Sequence, residues 1–298
     1  MILKTDSSLP VTLDSKELFD EYRFGADGIS FYTFSTLYMW QPVMGYRYAV
    51  TDGMITVSGH DENNSDFCYM PVPKNGIYDA DALRGAVSKA ISIFGTDRFY
   101  PLDGRMLDLI KLAGADISVV SERRDLCDYV YSGEALRTLN GKTYHAKRNH
   151  INKFFSEYKF SYLDITEENK AELYRAAEAF SVDGDEALES EYIAIKRLID
   201  AFSVLRERAG IIYADGEPAG YSIGEVLDFR TALIQVEKAS KSKDGAYTVI
   251  NNEFLKHSFP DAELVNREED MGIEALRKAK LSYSPLPFNT IYEARISI

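Results

Sequence analysis

Cysteine is nearly missing. Two occur in 298 residues, Cys68 and Cys127, too few for a disulfide scaffold. Both lie in apolar, strand-like stretches (Phe67-Cys68-Tyr69-Met70 and Leu126-Cys127-Asp128-Tyr129), which predicts small buried hydrophobes. Long apolar runs are missing too. No window approaches the ~18 apolar residues of a membrane span, so no integral membrane segment is expected. Met1-Ile2-Leu3-Lys4-Thr5-Asp6 has no apolar core of signal-peptide length, and a cytoplasmic location follows. Basic residues are in deficit, with 34 Lys plus Arg against 47 Asp plus Glu, a net charge of −13. Blanket binding to nucleic acid needs basic surface, although a local basic site remains open. Histidine is scarce, with four in all. His145 and His150 stand about 140° apart on a helix and do not face one ion, so no metal site is predicted. A Gly-x-Ser-x-Gly elbow, a dinucleotide glycine fingerprint and a Cys–His pair are all lacking, which weighs against nucleophilic hydrolysis.

What is present suits a folded protein: 45% hydrophobic residues, 27% charged, 20 Tyr and 16 Phe. At roughly 100–200 residues per domain the length suggests two domains or one large one. The pattern predicts helices at 79–94 and 106–112, with strands at 46–69, 117–120 and 129–131. In the second half it predicts a helix at 144–158, a strand at 160–163, a helix capped by Thr166, and a long helix at 189–208. A hairpin around Asp215-Gly216 and a strand at 231–237 follow. Then come a polar loop at 240–245, helices at 246–257 and 273–281, and a final strand at 290–296. Helix, helix, hairpin, strand, loop, helix, strand is the element order of an acetyltransferase-like (GNAT) fold. Antiparallel hairpins mixed with helices argue for α+β rather than a doubly wound sheet. The expected architecture is two tandem GNAT-like units, residues 1–135 and 136–298, each a mixed, mostly antiparallel sheet flanked by helices and sharing a cleft.

Three segments carry candidate chemistry. Gly141-Lys142-Thr143-Tyr144-His145-Ala146-Lys147-Arg148-Asn149-His150-Ile151-Asn152-Lys153 is a basic island in an acidic chain. Lys147 falls within the apolar arc of its helix and Arg148 at the edge. It reads either as a phosphate-binding patch or as a solvated face with snorkelling stems. Val236-Glu237-Lys238-Ala239-Ser240-Lys241-Ser242-Lys243-Asp244-Gly245 joins a strand to a helix start, where free N–H groups favour an anion; a plain exposed loop is the alternative. By alternation Gln235 and Glu237 share a strand face with Leu233. In Asn266-Arg267-Glu268-Glu269-Asp270-Met271-Gly272, followed by Leu276-Arg277-Lys278-Ala279-Lys280-Leu281-Ser282-Tyr283, acids precede a helix and bases end it, as its macrodipole favours. Arg277 and Lys280 share a face and can clamp an anion.

At these segments, with Ser35-Thr36-Leu37-Tyr38-Met39-Trp40, Asp128-Tyr129-Val130-Tyr131 and Gly245-Ala246-Tyr247-Thr248-Val249-Ile250-Asn251-Asn252-Glu253-Phe254, the chain resembles the phosphatidylglycerol lysyltransferase C-terminal-domain family, in its short soluble branch. The resemblance runs over nearly the whole chain. It implies a tandem pair of acetyltransferase-like units and, by inheritance, transfer of an aminoacyl group from tRNA. The expected function is an acyl- or aminoacyl-transferase. Its donor is aminoacyl-tRNA or acyl-CoA, met at the tRNA acceptor end or the CoA phosphates. Its acceptor is an amine or hydroxyl on a small molecule or lipid head group; no cofactor is firmly implied. Glu237, Glu268, Glu269 and Asp270 are candidate bases or amine-positioning groups, and Tyr283 a proton donor to the leaving group. Lys147, Arg148, Asn152, Lys238, Lys241, Lys243, Arg277 and Lys280 are the candidate donor or anion ligands. Backbone N–H groups of a splayed central strand would hold the oxyanion. The alternative is a non-catalytic protein that binds a phosphorylated metabolite or a tRNA end at the same anion site.

Overall fold

Turn chemistry and capping set the element boundaries in the computed structural model, which describes residues 7–22, 28–181 and 186–298; the first six residues, read above for a leader, lie outside them. Contacts divide the chain into two units, Met1–Cys127 with Asn289–Ile298, and Asp128–Phe288. In the first unit the strands are β1 (Leu9–Pro10), β2 (Arg47–Thr51), β3 (Met54–His60), β4 (Asp66–Cys68), β5 (Val72–Pro73), β6 (Arg98–Leu102) and β7 (Asp116–Glu122), joined by the last strand of the chain, β14 (Tyr292–Ser297). The sheet order is β1-β2-β3-β4-β6-β14-β7, with β5 paired to β3. Asp52 and Gly53 both take positive φ, 52° and 74°, which closes the β2–β3 hairpin with the twist that such ribbons need. Helices α1 (Lys16–Glu21), α2 (Phe34–Met44), α3 (Ala80–Phe94) and α4 (Gly104–Leu112) complete the unit. Asp79 caps α3 by accepting from the Ala82 N–H at 2.9 Å, and Leu83, Ala86, Val87 and Ala90 form its buried stripe. Cys68 and Cys127 are free and buried, and burial pushes the Cys68 thiol up to about 12.

The second unit carries β8 (Val130–Ser132), β9 (Phe160–Asp164), β10 (Arg208–Ala214), β11 (Glu217–Val226), β12 (Thr231–Ala239) and β13 (Leu264–Asn266). Their order is β8-β13-β12-β11-β10-β9. Only β12–β13 is parallel; the other neighbours are antiparallel. Its helices are α5 (Gly133–Thr138), α6 (His145–Glu157), α7 (Lys170–Ala179), α8 (Glu186–Asp200), α9 (Phe202–Leu205), α10 (Ala246–Ser258) and α11 (Glu274–Leu281). The core gathers Tyr129, Tyr131, Leu136, Phe154, Ile212, Val249, Ile250, Phe254 and Val265. Asp215 and Gly216, at φ 58° and 87°, make the β10–β11 turn. Both units are thus mixed sheets flanked by helices, the α+β class expected. Among the described residues no helix is long and apolar enough to cross a membrane.

Four details differ from the expectations. The junction set at 135/136 falls inside α5, and residues 128–135 group with the second unit because β8 pairs with β13. The final strand, assigned to the second unit, lies between β6 and β7 in the first, where Ala294 and Ile296 are buried. The helix expected at 189–208 ends at Asp200 and resumes as α9. Arg206 then takes φ 62° and turns the chain into β10. Thr166 is not the cap of its helix: α7 begins at Lys170, and the Asn169 side chain accepts from the Thr166 N–H at 2.7 Å.

Candidate functional site

Strands β12 and β13 pair only from Thr231–Leu233 to Leu264–Asn266. Beyond Leu233, β12 runs on to Ala239 with β11 alone beside it, so the two parallel strands part. The β11–β12 register also slips, Ile223 facing Val236 and Gly224 facing Ile234, which leaves Gln235 as the extra residue of a bulge. The bulge breaks the alternation that was to align Gln235 with Leu233. Leu233 is fully buried, whereas Gln235 and Glu237 are half-buried. The Gln235 amide donates to Glu225 at 3.2 Å, and its own oxygen is buried without a partner. Glu237 accepts from Asn251 Nδ2 at 2.8 Å and from Arg267 Nη2 at 2.6 Å.

Helix α10 is preceded by Gly245 as its cap residue, whose φ is +85°. A Cβ there would stand 2.5 Å from the His150 carbonyl oxygen, so glycine lets α6 approach the helix start. Gly245→Ala should therefore lower the unfolding free energy by about 2 kcal/mol, from left-handed strain plus the clash, read as a fall in urea midpoint at constant slope. The lysines of this loop do not converge. Lys238 pairs with Glu191 at 2.6 Å, Lys243 lies over the Tyr158 ring at 4.9 Å, and Lys241 is exposed. Asp244 takes Lys153 at 2.7 Å.

The Asn266–Gly272 stretch is a tight fold in which Glu268, Met271 and Gly272 take positive φ. It continues the β8–β13 pairing: Arg267 N–H donates to the Tyr129 carbonyl and Tyr129 N–H to that of Glu268, each at 3.0 Å. Lys280 is buried, and its ammonium donates to the carbonyl oxygens of Arg267, Glu268 and Glu269. It is spent on backbone. Asp270 is fully buried and accepts from Tyr129 OH at 2.6 Å, from Arg277 Nε and Nη2 at 2.8 and 2.9 Å, and from the Gly272 N–H at 2.9 Å. Burial alone would raise its pKa; the bonds from Arg277, Tyr129 and Gly272 hold it well below the carboxylate range. The oxygens of Asp270 are thus fully engaged, and Arg277 spends its Nε and one Nη2 bond on them. Arg148 likewise donates to the Leu139 and Gly141 carbonyls. Asn152 is exposed.

Glu268 and Glu269 differ from Asp270. Both are half-buried, and among the described residues neither carboxylate forms an ion pair. Burial pushes Glu269 up to about 7, with the Asp128 carboxylate adding to it and Lys280 opposing. Burial, Glu269 and Asp128 raise Glu268 as well. Asp128 is itself fixed by Asn266 Nδ2 at 2.8 Å.

Tyr283 is buried, its hydroxyl 3.5 Å from Thr248 Oγ1, and burial raises its pKa. Its ring carries two cations. Lys147 Nζ is 3.7 Å and the Arg267 guanidinium 4.9 Å from the centroid; Arg267 is also 5.6 Å from the Tyr131 ring. Burial and the nearby Arg267 bring Lys147 down to about 8. Arg267 Nη1 and Asn251 Oδ1 are buried without partners.

The fold thus unites Glu237 with Lys147 and Tyr283 around Arg267, and Glu268 with Glu269 around the Lys280-bound turn two residues further. Arg267, Asn251 and Asp128 were not singled out in advance. A signal existed for Asn251: two asparagines interrupt the apolar run Val249-Ile250-Asn251-Asn252-Glu253-Phe254, and both are buried. Among the described residues no group of His, Cys, Asp and Glu is placed to hold a metal ion.

A family model described as phosphatidylglycerol lysyltransferase, C-terminal, matches residues 23–295. A conserved protein of unknown function from Bacteroides thetaiotaomicron is 29% identical, with a TM-score of 0.83 over 97% of this chain and 99% of that one. The solved L-PGS of Bacillus licheniformis is 12% identical, with a TM-score of 0.58 over 86% of this chain and 89% of that one. A tandem GNAT protein from the clavulanic acid biosynthesis pathway gives 11% identity and a TM-score of 0.51, covering 97% of each chain. The last two likenesses concern the fold, which is that of acetyltransferase-like units in tandem.

Proposed function

The chain belongs to the phosphatidylglycerol lysyltransferase C-terminal family, a transferase family, and from that premise we propose that it is an acyl- or aminoacyl-transferase whose general base is Glu269. The observation that carries this reading is a half-buried carboxylate pushed up to about 7, next to the turn that Lys280 holds and two residues from Arg267. An amine acceptor must lose a proton as it attacks, and a base poised near neutral pH serves best. The donor is an activated ester or thioester, aminoacyl-tRNA or acyl-CoA, lying along the β12 edge that β13 leaves unpaired. Backbone N–H groups of that edge receive the developing oxyanion. Arg267, whose Nη1 is buried without a partner, supplies positive charge for the donor. The acceptor nitrogen bonds to the carbonyl carbon, Glu269 takes its proton, and the intermediate collapses. The leaving oxygen or sulfur then receives the proton from Glu269, which regenerates the carboxylate.

The family description names phosphatidylglycerol. A chain of charge −13 is repelled by anionic lipid surfaces, which favours a soluble amine or hydroxyl compound as acceptor. A panel of labelled acyl-CoAs and aminoacyl-tRNAs, offered with amines, hydroxyl compounds and phosphatidylglycerol vesicles, tests the reading. Transfer should rise with pH through a midpoint near 7. Glu269→Gln should slow it by roughly 10²–10⁴-fold with donor binding intact. A Gln variant as fast as the natural protein removes Glu269 as base. Donor binding without transfer to any acceptor assigns the non-catalytic alternative instead.

A further inference from the structure

We propose that Lys147 is itself an acylation site, a nucleophilic amine that takes an acyl group from activated esters and thioesters. Lys147 lies on α6 and is half-buried, and no carboxylate of the described residues forms an ion pair with it. Its polar contact is the Ser282 hydroxyl oxygen at 2.7 Å. That hydroxyl directs its own proton to the Ala279 carbonyl at 2.6 Å. Lys147 is therefore the donor in the pair, and in the uncharged amine the nitrogen lone pair is left unused. The nitrogen rests on the face of the Tyr283 ring, which holds the flexible four-carbon stem in place. Burial and the Arg267 guanidinium on the same ring favour the neutral, nucleophilic form, against the opposing pull of the Glu237 carboxylate. Compare Lys153 and Lys238, each tied to a carboxylate, and Lys280, enclosed by three carbonyls. The geometry singles out Lys147 among these.

The step balances without a redox partner. The Lys147 nitrogen forms a bond to the carbonyl carbon while the carbon–oxygen or carbon–sulfur bond to the leaving group breaks. One amine proton passes to the leaving alkoxide or thiolate. The products are an Nζ-acyl-lysine and a free alcohol or thiol. The amide is stable, so the modification removes a positive charge beside Arg267 and persists.

Acylation by a biological donor rests on the transferase reading above; the reactivity of the amine does not. The test therefore uses two probes on the full chain at pH 8. One is limiting N-acetoxysuccinimide, which needs no donor site. The other is S-acetyl-CoA or an aminoacyl-tRNA, which does. Site-resolved mass spectrometry follows Lys147 against exposed Lys241. The expected result is labelling of Lys147 on the order of tenfold faster than Lys241, with a Lys147 rate that levels off above pH 8. Labelling by the reactive ester alone supports the nucleophile and overturns the donor site. Equal labelling of the two lysines by both probes overturns the proposal.

Discussion

Asp270→Ala lowers the unfolding free energy by about 3 kcal/mol, toward the low end of what breaking a buried charge pair costs. The carboxylate is fully buried and meets four donors, two from Arg277, one from Tyr129 and the Gly272 N–H. Truncation removes the acceptor of the 2.6 Å bond that the buried Tyr129 hydroxyl donates, and losing such a bond in the core costs roughly 1–3 kcal/mol. Arg277 has 37% of its side chain exposed and recovers water, which is why the upper end of the range is not expected. Asp270→Asn should cost less, since it keeps the shape and one acceptor. Urea denaturation of the two variants and of the Arg277→Met and double variants measures the coupling. A midpoint unchanged by Asp270→Ala would show that Asp270 does not anchor the turn. The role assigned to Asp270 from sequence, a base or an amine ligand, asks for a carboxylate with a free lone pair and a pKa near neutrality. This one has neither.

Much of the second unit was legible because its signals are local. Helix α10 begins after a glycine, the β10–β11 hairpin turns at Asp215-Gly216, and α11 has acids before it and bases in its last turn. Each of these can be read within a few residues. The roles of the charged side chains were less legible, because a lysine in a sequence does not say what its ammonium meets. Lys280 shares a helix face with Arg277, as the spacing required. The Glu268 backbone, however, takes φ 56°, and that turn brings three carbonyls to face Lys280 while Asp270 takes Arg277. Arg148 is drawn to the Leu139 and Gly141 carbonyls for a similar reason: Leu139 and Gly141 take positive φ at the end of α5 and in the loop after it, leaving carbonyls that need a donor. The return of β14 to the first unit is a contact across more than 160 residues, from Arg295 to Arg98 and Val119. No local pattern encodes such a pairing.

The protein should be most stable near pH 5 and lose about 2–3 kcal/mol between there and pH 8. An unfolded glutamate titrates near 4.3, and Glu269 in the fold is pushed up to about 7. Between those values the folded chain holds a proton that the unfolded chain has released. Unfolding then releases protons, so the unfolding free energy falls as pH rises through the window, by about 1.4 kcal/mol per unit of pKa difference. The raised Glu268 acts in the same direction, and partial exposure of both side chains trims the total. Asp270 acts in the opposite sense but lower: its depressed pKa gives stability above pH 4 that is lost on further acidification. Thermal unfolding at pH 5, 6, 7 and 8 should show a falling Tm. Glu269→Gln, which cannot ionise, should remove most of that slope and exceed the natural chain in stability at pH 8. Equal Tm at pH 5 and pH 8, or a Gln variant weaker at pH 8, would remove the basis for Glu269 as a base. Where the slope is found, the physical reason is one that also suits catalysis. The same desolvation and the same Asp128 carboxylate that disfavour the charged form in the fold make the carboxylate a stronger base. A substrate ammonium bound beside it would relieve the repulsion, and ligand binding should then flatten the pH dependence of Tm.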